Sequence, residues 1–139
     1  MKKTLGIEIK GNTAIFCAIK ENNGIVEEIT GSFKKLELKN DDVSIEVQDF
    51  TDTVHSFFNE NHFDKIGIIK RSKSMNAKFP VSPISFKLEG LIQTYKDCDI
   101  RFVAPQTLRA HYKKNAFNFK PKYGYQKSAA ELAFYLLTK

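Results

Sequence analysis

The stretch "TLGIEIKGNTAIFCAI", residues 4–19, holds two alternating apolar runs around a glycine turn. In the first run the aliphatic side chains of Leu5, Ile7 and Ile9 alternate with small or polar residues, among them Glu8. A period of two is typical of a strand with one buried face, so the pattern places Glu8 on the face opposite the aliphatic residues. Two interpretations of Glu8 stay open: a residue of a solvated strand face, or a functional carboxylate.

The elements outward from this hairpin alternate between strand and helix patterns. A meander of three strands is followed by a helix, a short apolar strand, a second helix, a fifth strand and two further helices. This order predicts an α/β fold of the ribonuclease H-like kind: a mixed five-stranded sheet, its first three strands antiparallel, flanked by helices. The predicted strands are residues 4–10, 13–20, 25–38, 65–69 and 99–104, and the predicted helices begin near Asp49, Ser82, Thr107 and Ser128.

Length and composition limit the classes of protein that fit. The chain has 139 residues, which predicts a single domain over residues 1–139. No apolar run approaches the ~18 residues of a membrane span, and the N-terminus lacks the apolar region of a secretory signal. Cys17 and Cys98 form no CxxC pair. We therefore expect reduced thiols in a cytoplasmic protein that does not enter a membrane.

The net charge of +6 is distributed unevenly along the chain. Residues 1–63 contain 7 Lys and Arg against 11 Asp and Glu, whereas residues 64–139 contain 15 against 5. A basic region of this kind favours nucleic acid as a partner, because neutralising phosphates supplies most non-specific affinity. The alternative is a basic surface that only keeps the protein in solution.

Two basic segments supply the candidate nucleic-acid-binding residues. In "HYKKNAFNFKPKYGYQK", residues 111–127, aromatic residues alternate with lysines, as in surfaces that stack bases and neutralise phosphates. The alternative is that the aromatic rings hold this loop on the core. The loop "KRSKSMNAKF", residues 70–79, follows a parallel strand at the end where such sheets bind ligands. The candidates are Arg71, Lys73, Lys78, Lys113, Lys114, Lys120, Lys122, Tyr123 and Tyr125.

Three segments carry a resemblance to a known family. "LGIEIKGN", residues 5–12, the segment from 86 to 114, and "SAAELAFYLL", residues 128–137, resemble the first strand, the middle and the last helix of RuvC-type Holliday-junction resolvases. The chain is similar to RuvC-like members of the ribonuclease H-like superfamily, in particular to a small uncharacterised bacterial family of single-domain RuvC-like proteins.

The resemblance implies a site for phosphodiester cleavage by two divalent metals held by clustered carboxylates. Glu8 matches the first acidic position of the family and Glu131 the fourth, whereas Lys70 and Ser128 stand at the second and third. Glu89 is a further candidate from the second helix. The catalytic candidates are therefore Glu8, Glu131 and Glu89, with Glu8 and Glu131 as ligands of Mg²⁺ or Mn²⁺ if the protein is active, and no metal otherwise.

Lys70 argues against an active site, because an ammonium group repels a divalent cation. We expect it to pair with Glu8 and block the site. Three functions remain open: a binding domain for branched or structured nucleic acid with lost or reduced nuclease activity, an active metal-dependent endonuclease, and a protein-interaction module. Whether the protein is an enzyme stays open, as does a homodimer. The resemblance favours DNA over RNA as the partner.

Overall fold

A computed structural model describes residues 1–71 and 82–139. The strands in these residues are β1 (Lys2–Lys10), β2 (Thr13–Asn22), β3 (Ile25–Glu28), β4 (Lys35–Glu37), β5 (Lys65–Ile69) and β6 (Ile100–Val103). The helices are α1 (Ser44–Asn61), α2 (Pro83–Gln93), α3 (Pro105–Lys114) and α4 (Lys127–Leu137), the last preceded by a 3-10 turn, Gly124–Gln126.

The strands form one mixed sheet in the order β3-β2-β1-β5-β6, with β4 also paired to β2. β1 and β2 run antiparallel over their full lengths, from Lys2 opposite Glu21 to Lys10 opposite Thr13. β5 lies parallel to β1 on its other side, and β6 lies parallel to β5. The predicted mixed sheet is thus confirmed, including the position of residues 65–69 beside the first strand.

The predicted third strand, residues 25–38, is divided into β3 and β4. Both pair with β2, but Gly31 between them takes a φ of +61° that no strand allows. The Thr30 hydroxyl accepts a hydrogen bond of 2.9 Å from the backbone N–H of Ala18, so a side chain satisfies β2 where the ladder is interrupted. The sheet therefore has six strands, the last two of the meander sharing one edge of β2.

The helices cover both faces of the sheet. On one face α1 and α2 pack against the apolar residues of β1, namely Leu5, Ile7 and Ile9. On the other face α4 lies against β1 so closely that a Cβ on Gly6 would stand 2.0 Å from the backbone oxygen of Ala129. The alternation in the first strand therefore separates the aliphatic core from the face on which α4 lies.

Two helix starts test the sequence-based boundaries. Helix α2 begins as predicted, with Ser82 at the N-cap and Pro83 in the first turn. Helix α1 begins at Ser44 rather than near Asp49, because the apolar residue Val47 already packs against the core one turn earlier. Across residues 1–71 and 82–139, no helix has both the length and the hydropathy that a membrane span requires.

Candidate functional site

Glu8 lies near the end of β1 on the face covered by α4. Thr4, on the same face, donates a hydrogen bond of 2.7 Å to the backbone oxygen of Ala133, and Gly6 contacts α4 directly. The side chain of Glu8 is 19% exposed, and the hydroxyl of Ser128, in the first turn of α4, acts to lower the pKa of its carboxyl. Glu8 is therefore not a residue of a solvated strand face.

The cations around Glu8 differ from the one that the sequence predicted. Lys10 Nζ lies 3.9 Å from Glu8 Oε1, and the charge of Arg71 also acts on the carboxylate. Lys70 is exposed, and in the described part of the chain no ion pair joins it to Glu8. The expected Glu8–Lys70 pair is therefore wrong.

The alternation of β5 explains why Arg71 replaces Lys70. Ile66 and Ile68 face α1 and α2, whereas Gly67 and Ile69 face α4. Because the backbone N–H of residue 70 still donates to Val103, continued strand alternation predicts residue 71 on the α4 face and residue 70 on the opposite one. Counting faces rather than motif positions would have selected Arg71.

Glu89 of α2 acts on the same guanidinium through its charge. It is 7% exposed on the buried side of the helix, although a surface position was the simpler expectation. Its negative charge is the strongest favourable influence on the Arg71 guanidinium, followed by that of Glu8. We call Glu8, Arg71 and Glu89, together with Ser128 and Glu131, the Glu8 cluster.

The electrostatics of the Glu8 cluster are dominated by burial. Burial raises the pKa of Glu8, and the charge of Glu131 adds to that rise. The charges of Lys10 and Arg71 and the interaction with Ser128 oppose it. Burial also lowers the pKa of Arg71, against the two carboxylates that favour its charge. Glu8 and Glu89 thus both act electrostatically on Arg71, and Glu131 acts on Glu8, whereas a catalytic role of these three acids stays a prediction.

This arrangement does not fit a pair of divalent metal ions. Two-metal sites need several carboxylates free to coordinate, in near-octahedral geometry for Mg²⁺. Within residues 1–71 and 82–139, no group of three or more His, Cys, Asp or Glu side chains is placed to hold a metal ion. A guanidinium, which keeps its charge in proteins, instead stands beside the carboxylates that such an ion would need.

The predicted basic residues do not lie in one place. Lys73 and Lys78 fall outside the described residues. Lys113 and Lys114 are exposed at the end of α3, a helix of 10 residues that starts at the carboxyl end of β6. Lys120 is exposed on the segment between α3 and α4.

The aromatic residues of this segment divide into two groups. Phe117 and Phe119 pack edge-on and tilted against Phe134 of α4, so for these rings the core interpretation holds. Tyr123 and Tyr125 instead stack on each other, with ring centroids 5.5 Å apart and an angle of 18° between the planes.

Sequence reasoning missed two lysines beside this stacked pair. Lys34 Nζ lies 4.9 Å from the centroid of the Tyr123 ring, and Lys35 Nζ lies 5.2 Å from that of Tyr125. The two lysines are visible in the sequence as a basic pair at the start of β4. The net negative charge of the first half of the chain hides this pair when charge is counted over long segments.

The architecture is similar to that of RuvC and of a yeast mitochondrial Holliday junction resolvase. Thermus thermophilus RuvC superposes with a TM-score of 0.72 at 10% identity, covering 98% of this chain and 96% of that one. T. thermophilus RuvC in complex with Holliday junction substrate gives 0.68 at 8% identity, covering 99% and 96%. The yeast mitochondrial Holliday junction resolvase Ydc2 gives 0.55 at 13%, covering 99% of this chain and 68% of that one. The predicted fold is thus confirmed.

Sequence comparison assigns the family. No curated protein matches the sequence significantly. A family model described as "Protein of unknown function (DUF3010)" matches residues 1–136, almost the whole chain. The chain therefore belongs to the DUF3010 family.

Proposed function

We propose that this protein binds branched or structured nucleic acid, DNA rather than RNA, and does not cleave it. Solved structures with this fold include a RuvC complex with a Holliday junction and a mitochondrial Holliday junction resolvase. The observation that supports the second half of the proposal is the positive charge of Arg71, which acts on Glu8 and is favoured by Glu89.

The charge of Arg71 opposes metal-dependent cleavage. A guanidinium beside the carboxylates repels a divalent cation and already uses their negative charge. Glu131, which the family resemblance makes a ligand, raises the pKa of Glu8 rather than joining it in a cluster of three acids. In this proposal the Glu8 cluster holds a guanidinium whose charge is favoured by two carboxylates, in the place of a catalytic metal site.

Binding is supported by the exposed cations. Residues 64–139 carry 15 Lys and Arg against 5 Asp and Glu, and Lys113, Lys114, Lys120 and Lys122 are all exposed. Exposed cations without acidic partners attract phosphates over the distance that salt allows. The proposal treats residues 1–139 as one domain and leaves a homodimer open. The two free cysteines support a cytoplasmic location.

The binding test measures affinity for a four-way junction, a forked duplex and a linear duplex at several salt concentrations. If phosphates are neutralised, log affinity falls linearly with log salt, with a slope of about −0.9 per phosphate on duplex DNA. We expect the junction and the fork to bind more tightly than the linear duplex. No binding to any of the three at low salt contradicts the proposal and leaves the protein-interaction module as the better interpretation.

The cleavage test uses the same junction with excess Mg²⁺ or Mn²⁺, comparing the wild type with Glu8→Gln. We expect both proteins to leave the junction intact. Metal-dependent cutting by the wild type that disappears in Glu8→Gln would show an active endonuclease and overturn the second half of the proposal. A binding result without cutting supports both halves.

A further inference from the structure

The stacked tyrosines form an exposed aromatic and cationic surface. Besides Lys34 and Lys35, the ammonium group of Lys122 lies 5.6 Å from the centroid of the Tyr123 ring. Both rings are half-exposed, and Lys35 and Lys122 are exposed. We call Tyr123, Tyr125, Lys34, Lys35 and Lys122 the tyrosine platform.

The backbone beneath the tyrosine platform is fixed by buried hydrogen bonds. The fully buried amide of Gln126 donates a hydrogen bond of 2.8 Å to the backbone oxygen of Phe16. The same amide accepts a hydrogen bond of 3.1 Å from the backbone N–H of Tyr123. The Glu28 carboxylate accepts a hydrogen bond of 3.1 Å from the same amide and one of 2.9 Å from the backbone N–H of Lys122. The rings are therefore held in position before any ligand arrives, which lowers the entropic cost of binding.

The positive charge of the tyrosine platform is not neutralised by ion pairs. In residues 1–71 and 82–139 the salt bridges involve Lys10, Lys20 and Lys87, and none involves a lysine of the platform. Glu28 lies beside the platform, and both of its oxygens accept hydrogen bonds from N–H groups of the adjacent turn. The three ammonium groups outnumber this carboxylate, so positive charge remains to attract an anion.

The platform and the Glu8 cluster share one face of the sheet. Glu8 pairs with Ile15 across β1 and β2, and Ile15 pairs with Lys35 across β2 and β4. Directly paired residues point to the same side, so Glu8, Ile15 and Lys35 form one row beneath α4. With about 5 Å between neighbouring strands, the Cα atoms of Glu8 and Lys35 are about 10 Å apart.

We propose that the tyrosine platform binds an unpaired nucleobase in a single-stranded segment, with the flanking phosphates on Lys34, Lys35 and Lys122. This rests on the proposed function and adds the part of a branched substrate that is recognised. Every base has a face that can stack on an aromatic ring, whereas in a duplex both faces are covered by neighbouring bases. In the part of the chain that the structure describes, these lysines make cation–π contacts and no ion pair, so a base can displace one of them.

The other aromatic residues of the segment do not offer such a surface. Phe117 and Phe119 face Phe134, and the Tyr112 hydroxyl donates to the backbone oxygen of Glu131, which ties that ring to α4. Tyr95 lies on the opposite face of the sheet, where its hydroxyl donates 2.7 Å to the side chain of Asn59. Tyr95 is therefore a matched tyrosine outside the platform.

The test measures fluorescence anisotropy of a labelled 12-nucleotide oligo(dT), a 12-base-pair blunt duplex and a four-way junction. Tyr123→Leu should weaken oligo(dT) binding by about 5- to 100-fold, the range of one base–aromatic stack, and change duplex binding by less than about twofold. Tyr123→Phe, which keeps the ring, and Tyr95→Leu, the matched control, should bind oligo(dT) like the wild type. A loss in Tyr123→Phe equal to that in Tyr123→Leu overturns the stacking role.

A charge variant tests the platform without removing a ring. The double variant Lys34→Gln, Lys35→Gln should lose two phosphate contacts to oligo(dT). Each contact contributes about 0.7 to the slope of log affinity against log salt, so the slope should become less steep by about 1.4. An unchanged slope, or equal oligo(dT) affinity in the wild type and Tyr123→Leu, overturns the platform. If the wild type binds junction and duplex but no oligo(dT), the platform is wrong and the proposed function stands. If it binds none of the three, the proposed function itself is wrong.

Discussion

The Glu8 cluster and the tyrosine platform lie about 10 Å apart on one face of the sheet and treat charge in opposite ways. In the cluster, the charge of Arg71 lies among acids that are half-buried, as Glu8 is, or buried, as Glu89 is, and both carboxylates favour the charged guanidinium. In the platform, lysine ammonium groups lie over tyrosine rings with no ion pair among the described residues. The difference indicates that the first region stabilises the fold and the second remains available to a ligand.

The largest effect is expected where both regions depend on the docking of α4. A Cβ at position 6 would meet the backbone oxygen of Ala129 at 2.0 Å and the backbone nitrogen of Ala133 at 2.8 Å, and neither can move without the helix. Gly6→Ala should therefore lower the free energy of unfolding by about 3 kcal/mol or more, measured by urea denaturation. Both the cluster and the platform should lose their geometry with it.

Gly90→Ala is the matched control, because a Cβ there has no neighbour within 4 Å in the described part of the chain. Because Gly90 lies inside a helix, its replacement by alanine should raise the free energy of unfolding of the protein by about 0.5–1 kcal/mol. Equal changes in the free energy of unfolding for the two substitutions would show that α4 does not pack against Gly6.

The next largest effect distinguishes a compensated cation from an exposed one. Arg71→Ala removes the positive charge that acts on both Glu8 and Glu89, and should cost about 1–3 kcal/mol in the free energy of unfolding. This lies below the 3–5 kcal/mol of a fully buried pair, because Arg71 is only half-buried.

Lys10→Ala is the comparison for Arg71→Ala. Lys10 also pairs with Glu8, at 3.9 Å, but its side chain is 63% exposed. Solvent screens such a pair, so its removal should change stability by at most about 1 kcal/mol. Urea denaturation of both variants under one condition gives the difference, and equal losses would remove the distinction between the two cations.

The contrast between these residues also shows what the sequence could predict. The order of strands and helices, the pairing of residues 65–69 beside β1 and the start of α2 follow from periodicity and capping residues, which are local properties. Glu8 and Glu131 became candidate site residues through the family resemblance, and their role stays a prediction. The identity of the cation was not, because a motif position does not specify a face, whereas the alternation of β5 does.

The remaining errors involve contacts between segments distant in the chain. The break between β3 and β4 depends on Thr30 bonding to Ala18, and the platform depends on Lys34 and Lys35 meeting tyrosines about ninety residues later. Neither contact has a local pattern. Phe117 and the tyrosines look alike in the sequence, and only the packing of α4 separates buried rings from exposed ones.

A smaller effect concerns the pH dependence of the Glu8 cluster. Because burial raises the pKa of Glu8 above its usual value near 4.5, the folded state favours the protonated form. The contribution of Glu8 to stability is therefore complete below the unfolded pKa and is lost as the pH rises through the folded pKa. Glu8→Gln, which stays neutral, should lack this loss.

The measurement follows the free energy of unfolding of both proteins from about pH 4 to pH 7. The stability of Glu8→Gln relative to the wild type should rise over the lower part of this range and then become constant. The total rise should be smaller than the loss of stability caused by Arg71→Ala. The charges of Lys10, Arg71 and Glu131 act on the same carboxylate and are present in both proteins. A relative stability that falls with pH would mean that the cations outweigh burial.

The smallest effect separates the ring of Tyr125 from its hydroxyl. The phenol oxygen is buried and has no hydrogen-bond partner in the described part of the protein, whereas the ring stacks on Tyr123 beneath Lys35. An unsatisfied buried hydroxyl carries a desolvation cost, so Tyr125→Phe should leave stability unchanged or raise it by up to about 1 kcal/mol. Because a base would stack on the rings, oligo(dT) affinity should stay within about twofold of the wild type. A large loss of affinity in Tyr125→Phe at unchanged stability would instead assign the hydroxyl to the ligand, and the platform would then recognise its partner by hydrogen bonding rather than by stacking.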